Sequence, residues 1–237
     1  MLRAGCGAFP VAHATYFSTL ETVEAGGPGG KLPRPETAER WRKEAPRDFV
    51  FSVRCDRAVV DGQFRKTEDV RRGWERTASV AAALGARFVV FQTPAAFYPN
   101  ADHLGDLYAF LRAVDRKGML LAWQPSRGWE SALVRRICSQ LRLVHAVDPL
   151  VQEPLAGAVN YFRLTGGGPD RKPSRGHRYT EEELKQVAAA AGDKQTYAYF
   201  LTADMWPDAN RLNRMTRQLP PRCLPPRGVG SRQGGSR

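Results

Sequence analysis

The chain has 237 residues, of which 42% are hydrophobic and 25% are charged. These proportions are typical of a soluble globular protein that is large enough for one substantial core. No apolar run reaches the roughly 18 residues of a membrane-spanning helix, and the first residues lack a secretory apolar segment, so we expect a cytoplasmic protein without a membrane partner. Four cysteines without a CxxC pair exclude a small disulfide framework and a zinc site of that spacing.

The formal charge of +12 is unevenly placed along the chain. Seven arginines and no acidic residue follow Asp208, which leaves about +5 for the rest of the protein. Residues 220–237 are rich in Arg, Pro and Gly and lack a core pattern, so we expect a disordered tail after a single domain over residues 1–219. This charge favours anionic partners, either a small molecule or nucleic acid.

Stretches of strand length alternate with helical patterns along the chain. Strands are predicted over residues 2–7, 22–25, 49–55, 87–93, 119–124, 143–147, 159–165 and 196–202. Helices are predicted over residues 16–22, 35–45, 67–85, 101–116, 129–140, from Thr180 onward and over 207–219. A short irregular link at 149–157 separates the sixth and seventh strands.

This alternation implies parallel strands joined by right-handed crossovers. Eight strands is the number that closes a (β/α)₈ barrel, so the predicted fold class is α/β, a TIM barrel, with a doubly wound open sheet as the alternative. Neither a GxGxxG fingerprint nor a P-loop is present. The sequence therefore offers no evident cofactor site.

The seventh predicted strand carries the strongest polar signal. Val159, Tyr161, Arg163 and Thr165 share one face of it, and an arginine on a buried strand requires a partner. Gly166 and Gly167 follow, and consecutive glycines allow a backbone nest that binds anions. We expect an anion site where this strand ends.

Several polar side chains lie at or just beyond the predicted strand ends. They are Arg54, Arg57, Gln92, Gln124, Arg127, Asp148, Arg163 and Thr165. The carboxyl ends of the strands carry the function in this fold, so one interpretation is a basic cleft that binds an anionic ligand through arginine forks. The other interpretation is that Arg54 and Arg163 form internal ion pairs with Glu24 and Asp148.

Two carboxylates in this set are candidate catalytic residues, Glu24 and Asp148. They are also, with His145, the only plausible ligands for a divalent metal, although no metal motif supports one. A structural role is the alternative for His145. The basic loop at Lys172, Arg175 and beyond is either a clamp for a substrate anion or a solvated charged loop.

Eight segments resemble, in the same order, the YecE-like family, also called domain of unknown function 72. They are LETVE, LPRPETAERWRKEAP, FVFSVRCDR, VVFQTPAAF, VHAVDP, YFRLTG, YTEEEL and MWPDA. The resemblance covers about residues 2–215 and is strongest to the archaeal branch. It implies a TIM barrel with a polar cleft at the carboxyl ends of the strands, and no established biochemical function.

The chain departs from this family at several cleft positions. Residues 26–30 are GGPGG where the family has Asn-Ser-Thr-Phe-Tyr, Gln124 replaces a glutamate, and Thr165 replaces a histidine. Leu201 and Thr202 stand where an asparagine pair is usual, and Arg54 replaces a lysine. The positions that keep the family residue are Glu24, Arg57, Gln92, Arg127, Asp148, Arg163 and Asp208.

Two functions remain open from the sequence. The first is an enzyme that acts on a phosphorylated or nucleic-acid substrate in a basic cleft. The second is a non-catalytic protein that binds nucleic acid or a phosphate ligand, and the lost family residues at Gln124 and Thr165 favour it. The oligomeric state is not predicted by any feature of the sequence.

Overall fold

The computed structural model describes residues 1–26, 31–126, 128–168 and 172–218. Eight parallel strands pair in sequence order, and the eighth pairs with the first to close a barrel. The closing register is continuous, since β1 (Leu2–Cys6) pairs with β8 (Thr196–Phe200) at five successive positions. The predicted TIM barrel is therefore confirmed, and the open-sheet alternative is wrong.

The helices lie between successive strands, except that one strand connection lacks a helix and another carries two. The remaining strands are β2 (Thr22–Ala25), β3 (Val50–Arg54), β4 (Phe88–Gln92), β5 (Leu120–Gln124), β6 (Val144–Val147) and β7 (Asn160–Leu164). The helices are α1 (His13–Thr19), α2 (Pro35–Glu44), α3 (Arg57–Asp61), α4 (Glu68–Leu84), α5 (Ala101–Ala113), α6 (Ser131–Gln140), α7 (Glu181–Ala191) and α8 (Met205–Gln218). As predicted, β6 and β7 are joined by an irregular link.

Several helices differ by one to three residues from their predicted bounds, and one helix was not predicted. Helix α1 ends at Thr19 instead of residue 22, because residue 22 already belongs to β2. Helix α3 was not predicted, since five residues are too short for a periodic pattern; the Asp56 side chain caps it by accepting from the Ala58 amide. Helix α8 begins two residues before Pro207, which is tolerated because the amides of a first turn have no partner within the helix.

The strand faces divide the interior into two cores. Residues such as Phe88, Val90 and Tyr161 point into the barrel, and their neighbours Val89 and Phe91 pack against the surrounding helices. This is the period-two alternation expected of strands that are buried on both faces. The prediction that Tyr161 and Arg163 share a face is therefore confirmed.

Local capping signals agree with the architecture. Thr180 and Glu183 form the predicted capping box at the start of α7, and Thr67 caps α4 by accepting from the Val70 amide. Within the described ranges, no helix is both long enough and apolar enough to cross a bilayer. The predicted tail, residues 220–237, lies outside the described residues, as does Arg127.

Candidate functional site at the barrel mouth

A buried ion pair spans the barrel beneath its carboxyl-terminal end, which is called the mouth below. Arg163 on β7 donates from Nε to Glu24 Oε2 at 2.9 Å and from Nη2 to Glu24 Oε1 at 2.7 Å. Both side chains are almost fully buried, at 1% and 3% exposure. A bidentate fork of this kind has the strongest geometry that an arginine and a carboxylate can adopt. The ion-pair interpretation is thus realised for Arg163 and Glu24.

Further polar groups surround this pair on the inner face of the barrel. The Tyr161 hydroxyl donates to Glu24 Oε2 at 2.8 Å, and the Ser52 hydroxyl lies 2.5 Å from that of Tyr161. Since Tyr161 gives its proton to Glu24, Ser52 is the donor of the second bond. Arg163 Nη1 also donates to Gln124 Oε1. Glu24 thus accepts three hydrogen bonds, and every nitrogen of the Arg163 guanidinium donates to a side chain.

The electrostatics of the pair follow from burial and charge. Burial by itself would lower the pKa of Arg163, but the charge of Glu24 and its hydrogen bonds outweigh that effect and raise it. Burial, reinforced by the Glu24 charge, raises the pKa of Tyr161 well above its usual value. Tyr161 therefore stays protonated, and the mouth holds a carboxylate, a guanidinium and a neutral phenol at fixed positions.

Arg54 has a different environment from Arg163. It is half-buried at the end of β3, and among the described residues no side chain or carbonyl forms a hydrogen bond or ion pair with it. Burial lowers its pKa and the nearby Arg163 lowers it further, while Glu24 raises it. Gly26 packs against it, because a Cβ there would lie 2.8 Å from the Arg54 Cβ. An arginine remains charged despite such a shift, so Arg54 is a partly desolvated cation.

Arg54 faces a cavity of about 340 Å³, which we call the arginine cavity. Its lining includes Glu24, Arg54, Arg163, Thr165, Arg175 and Leu201. The Arg163 charge is balanced by Glu24, whereas the guanidiniums of Arg54 and Arg175 have no partner among the described residues. The arginine cavity is therefore electropositive.

A second cavity of about 350 Å³ adjoins it over β4, β5 and β6, and we call it the amide cavity. Its lining includes Gln92, Gln124, Trp129, His145, Asp148 and Gln152. Gln92, Thr165 and Pro173 line both cavities, so the two form one continuous depression at the mouth. Gln92 and Gln124 occupy paired positions on neighbouring strands.

The end of β7 is held by side-chain hydrogen bonds. Asp148 Oδ2 accepts from the amide and the hydroxyl of Thr165, at 3.2 and 3.3 Å, and Oδ1 accepts from the Leu150 amide at 3.1 Å. The Gly166 amide donates to the Tyr179 hydroxyl at 2.7 Å. The predicted glycine nest is thus partly used by the protein itself, since the Gly166 donor is occupied. Gly167 is buried beside it.

The basic loop after the glycines packs back over this strand end. The Ser174 amide donates to the Thr165 carbonyl at 3.1 Å, and the His177 ring lies 3.0 Å from Glu183. Arg175 is exposed and lines the arginine cavity, and Arg178 pairs with Asp204. This placement favours the clamp interpretation for Arg175 but not for Arg178.

Not every predicted site residue lies at the mouth cavities. Arg57 is mostly exposed in α3 and pairs with Asp61 at 3.1 Å, so it lines neither the arginine cavity nor the amide cavity. Arg127 lies outside the described residues. Glu24, Arg54, Gln92, Gln124, Asp148, Arg163 and Thr165 do line the two cavities.

His145 is fully buried on β6, and both of its ring nitrogens lie within hydrogen-bond distance of neighbouring groups. Nδ1 accepts from the Leu155 amide at 3.2 Å, and Nε2 lies 3.2 Å from the Gln152 amide. Burial lowers its pKa to about 4, so the ring is neutral near pH 7. This geometry favours the structural role. Within the described residues, no group of three or more His, Cys, Asp or Glu side chains could hold a metal ion.

Two members of the site were not predicted, Ser52 and Tyr161, which support Glu24. Each lies two residues before a predicted site residue on the same face of its strand, Ser52 before Arg54 and Tyr161 before Arg163. That spacing was visible in the sequence. Their contact with Glu24 was not, because it depends on how three separate strands face each other across the barrel.

A closed parallel barrel with a polar mouth defines a TIM-barrel protein of the single-domain type. The family model described as "Protein of unknown function DUF72" matches residues 13–227. The chain therefore belongs to the DUF72 family, and the resemblance noted from its motifs is confirmed. No similar chain was found among curated proteins.

Solved structures with the same fold include two from this family. A DUF72 family protein from Enterococcus faecalis superposes with a TM-score of 0.72 at 15% identity, covering 92% of this chain and 98% of that one. A second DUF72 family protein, from Thermotoga maritima, superposes with a TM-score of 0.71 at 16% identity, covering 92% of this chain and 100% of that one. Endonuclease IV from Thermus thermophilus superposes with a TM-score of 0.57 at 13% identity, covering 91% of this chain and 97% of that one. At these identities the likeness shows the fold alone.

Proposed function

We propose that this protein binds a phosphate-bearing anion in the arginine cavity, with Arg54 as the principal contact. The observation that carries the proposal is a half-buried guanidinium that forms no hydrogen bond or ion pair with any described residue. Partly desolvated charges are costly unless they are paired, and a bound phosphate would supply the pairing. The exposed Arg175, which lines the same cavity, adds a second donor fork.

The neighbouring ion pair gives this site its selectivity for anions. Because Glu24 already accepts hydrogen bonds from Arg163 and Tyr161, its negative charge is offset by the charge of Arg163. An anion entering the cavity then meets Arg54 and Arg175 without an opposing free carboxylate. A cavity of about 340 Å³ is of the size that takes a small ligand or one nucleotide unit of a longer strand.

The geometry favours binding without catalysis over general-base chemistry at Glu24. Both oxygens of Glu24 already accept hydrogen bonds, three in all and two of them from a guanidinium, so a substrate would have to compete with these internal donors. The enzymatic alternative, action on a phosphorylated or nucleic-acid substrate, is supported by Asp148 in the adjoining cavity. Endonuclease IV shares the barrel and is named for cutting nucleic acid, which makes an oligonucleotide a sensible probe.

Binding of inorganic phosphate and of a short single-stranded DNA, measured by calorimetry at low salt, tests the proposal. Arg54→Gln should weaken phosphate binding about tenfold or more, since a charged hydrogen bond contributes on the order of 1.5–3 kcal/mol. The matched control is Arg57→Gln, three residues away, which removes an equal charge from an exposed pair outside both cavities. It should change the dissociation constant less than about twofold.

Equal phosphate affinity in the wild type and in Arg54→Gln would contradict the proposal. Failure of the wild type to bind any phosphate-bearing probe would do the same. Each probe is also recovered after incubation and checked for conversion. A product that depends on Asp148, lost in Asp148→Asn, would favour the enzymatic alternative over simple binding.

A further inference from the structure

The amide cavity is chemically unlike the arginine cavity beside it. The arginine cavity is lined by three guanidiniums, those of Arg54, Arg163 and Arg175. Among the described residues that line the amide cavity there is no lysine or arginine, and His145 is neutral because burial lowers its pKa. A second phosphate is therefore not the group that the described lining of this cavity would attract.

Apart from the Asp148 carboxylate, which accepts hydrogen bonds from Thr165 and Leu150, the polar side chains of the amide cavity are uncharged. Gln92 is half-buried, and no described residue forms a hydrogen bond with its carboxamide. Gln124 accepts from Arg163 through Oε1, which orients its amide nitrogen as a donor with no described acceptor. Because these residues are paired on adjacent strands, their side chains emerge side by side. Together they present an acceptor and donors to the cavity.

Apolar groups face this cavity as well. Trp129 and Val151 contribute to its lining, and the Trp129 ring is fixed by a hydrogen bond from Nε1 to the Phe97 carbonyl at 3.0 Å. Val151 is 41% exposed. Exposed apolar side chains next to a polar depression are typical of sites that contact a ring.

We propose that the amide cavity binds the uncharged, hydrogen-bonding ring of a phosphorylated ligand whose phosphate lies at Arg54. The inference rests on the proposed function, because the phosphate anchors the ligand. Gln92 stands at the junction, since it lines both cavities, and so it is the residue that selects the ring. A sugar and a nucleobase share this chemistry, which makes sugar phosphates and nucleotides the ligand class.

The test compares inorganic phosphate, ribose 5-phosphate and adenosine 5′-monophosphate by calorimetry. In the wild type, at least one of the two organic phosphates should bind about tenfold tighter than inorganic phosphate, as one or two added amide hydrogen bonds predict. Gln92→Leu, which keeps the size and removes the amide, should abolish that gain. The readout is the ratio of organic-phosphate to inorganic-phosphate affinity, because Gln92 also lines the arginine cavity and its loss can change the binding of phosphate itself. Arg54→Gln should instead weaken all three probes together.

The outcomes separate this inference from the function on which it rests. An equal gain for both organic phosphates assigns the sugar to the cavity, and a gain for the adenosine compound alone assigns the base. No gain for either, or a gain that survives in Gln92→Leu, overturns the inference and leaves phosphate binding intact. No binding of any probe overturns the proposed function instead. Gln92→Asn, which keeps a shortened amide, should retain folding and lose part of the gain.

Discussion

At the scale of single residues, two arginines that look equivalent in the sequence have different environments at the mouth. Arg163 is buried and fully bonded to Glu24 and Gln124, so it contributes to the architecture of the barrel. Arg54 is half-buried and lacks a described partner, so it is available to a ligand. Buried ion pairs are costly to break but contribute little net stability, because desolvation offsets their attraction.

This asymmetry gives a prediction about the Glu24–Arg163 pair. Glu24→Gln should destabilise the protein by about 3–5 kcal/mol, because it leaves a buried guanidinium without its counter-charge. The double variant Glu24→Gln with Arg163→Met should recover most of that loss, since both charges are then removed. The measurement is urea denaturation followed by circular dichroism.

The comparison pair for that experiment is Arg57 and Asp61, whose side chains are 64% and 46% exposed. Asp61→Asn should change the free energy of unfolding by less than about 1 kcal/mol, because exposed pairs are screened by solvent. If Glu24→Gln cost as little as Asp61→Asn, the pair would not be the buried structural element described above.

At the scale of elements, the junction between β7 and the loop that follows controls the shape of the arginine cavity. Gly166 has a φ of +74°, and a Cβ there would lie 2.2 Å from the Ser174 carbonyl oxygen. The loop therefore approaches β7 as closely as the absence of a side chain allows. This approach brings Pro173 and Arg175 into the lining of the cavity.

Gly166→Ala should therefore displace the loop and weaken phosphate binding severalfold, with a loss of stability of roughly 1–3 kcal/mol from backbone strain. Gly105→Ala is the matched change, because Gly105 lies exposed within α5 and a Cβ there meets no atom within 4 Å. That variant should gain about 0.5–1 kcal/mol from helix propensity and bind phosphate normally. Normal phosphate binding by Gly166→Ala would show that the position of this loop does not affect the phosphate site.

At the scale of the whole molecule, two sources of positive charge are distinct. The mouth carries Arg54 and Arg175, and the sequence after Asp208 carries seven arginines without an acidic residue. The second source predicts non-specific attraction to nucleic acid that depends steeply on salt. The first predicts a saturable site for one phosphate.

Deletion of residues 220–237, which removes four arginines, should separate the two sources. The salt dependence of single-stranded DNA binding should flatten by up to about 3 in the slope of log K against log salt, from roughly 0.7 per lost charge. Binding of inorganic phosphate should be unchanged within about twofold. Loss of phosphate binding in the shortened chain would mean that the mouth is not the anion site.

Much of the fold was determined by the sequence itself. Stretches of strand length between helical patterns predicted all eight strands, because a strand buried on both sides is apolar on both faces apart from residues with a partner. The period of two along a strand predicted which residues of β7 share a face. Capping signals such as Thr180 with Glu183 predicted where helices begin, since they act within four residues. The co-linear motifs predicted the family.

Only the tertiary structure decided which charges are paired. Glu24 and Arg163 are 139 residues apart and belong to strands on different sides of the barrel, so no local pattern could join them. Closure of the barrel and the register of its strands bring Glu24 and Arg163 into contact, so the charge of Arg163 is paired. The charge of Arg54 stays without an ion-pair partner among the described residues and faces the arginine cavity. Pairing is a property of distances in space, and sequence spacing fixes those distances only within a single helix, strand or turn.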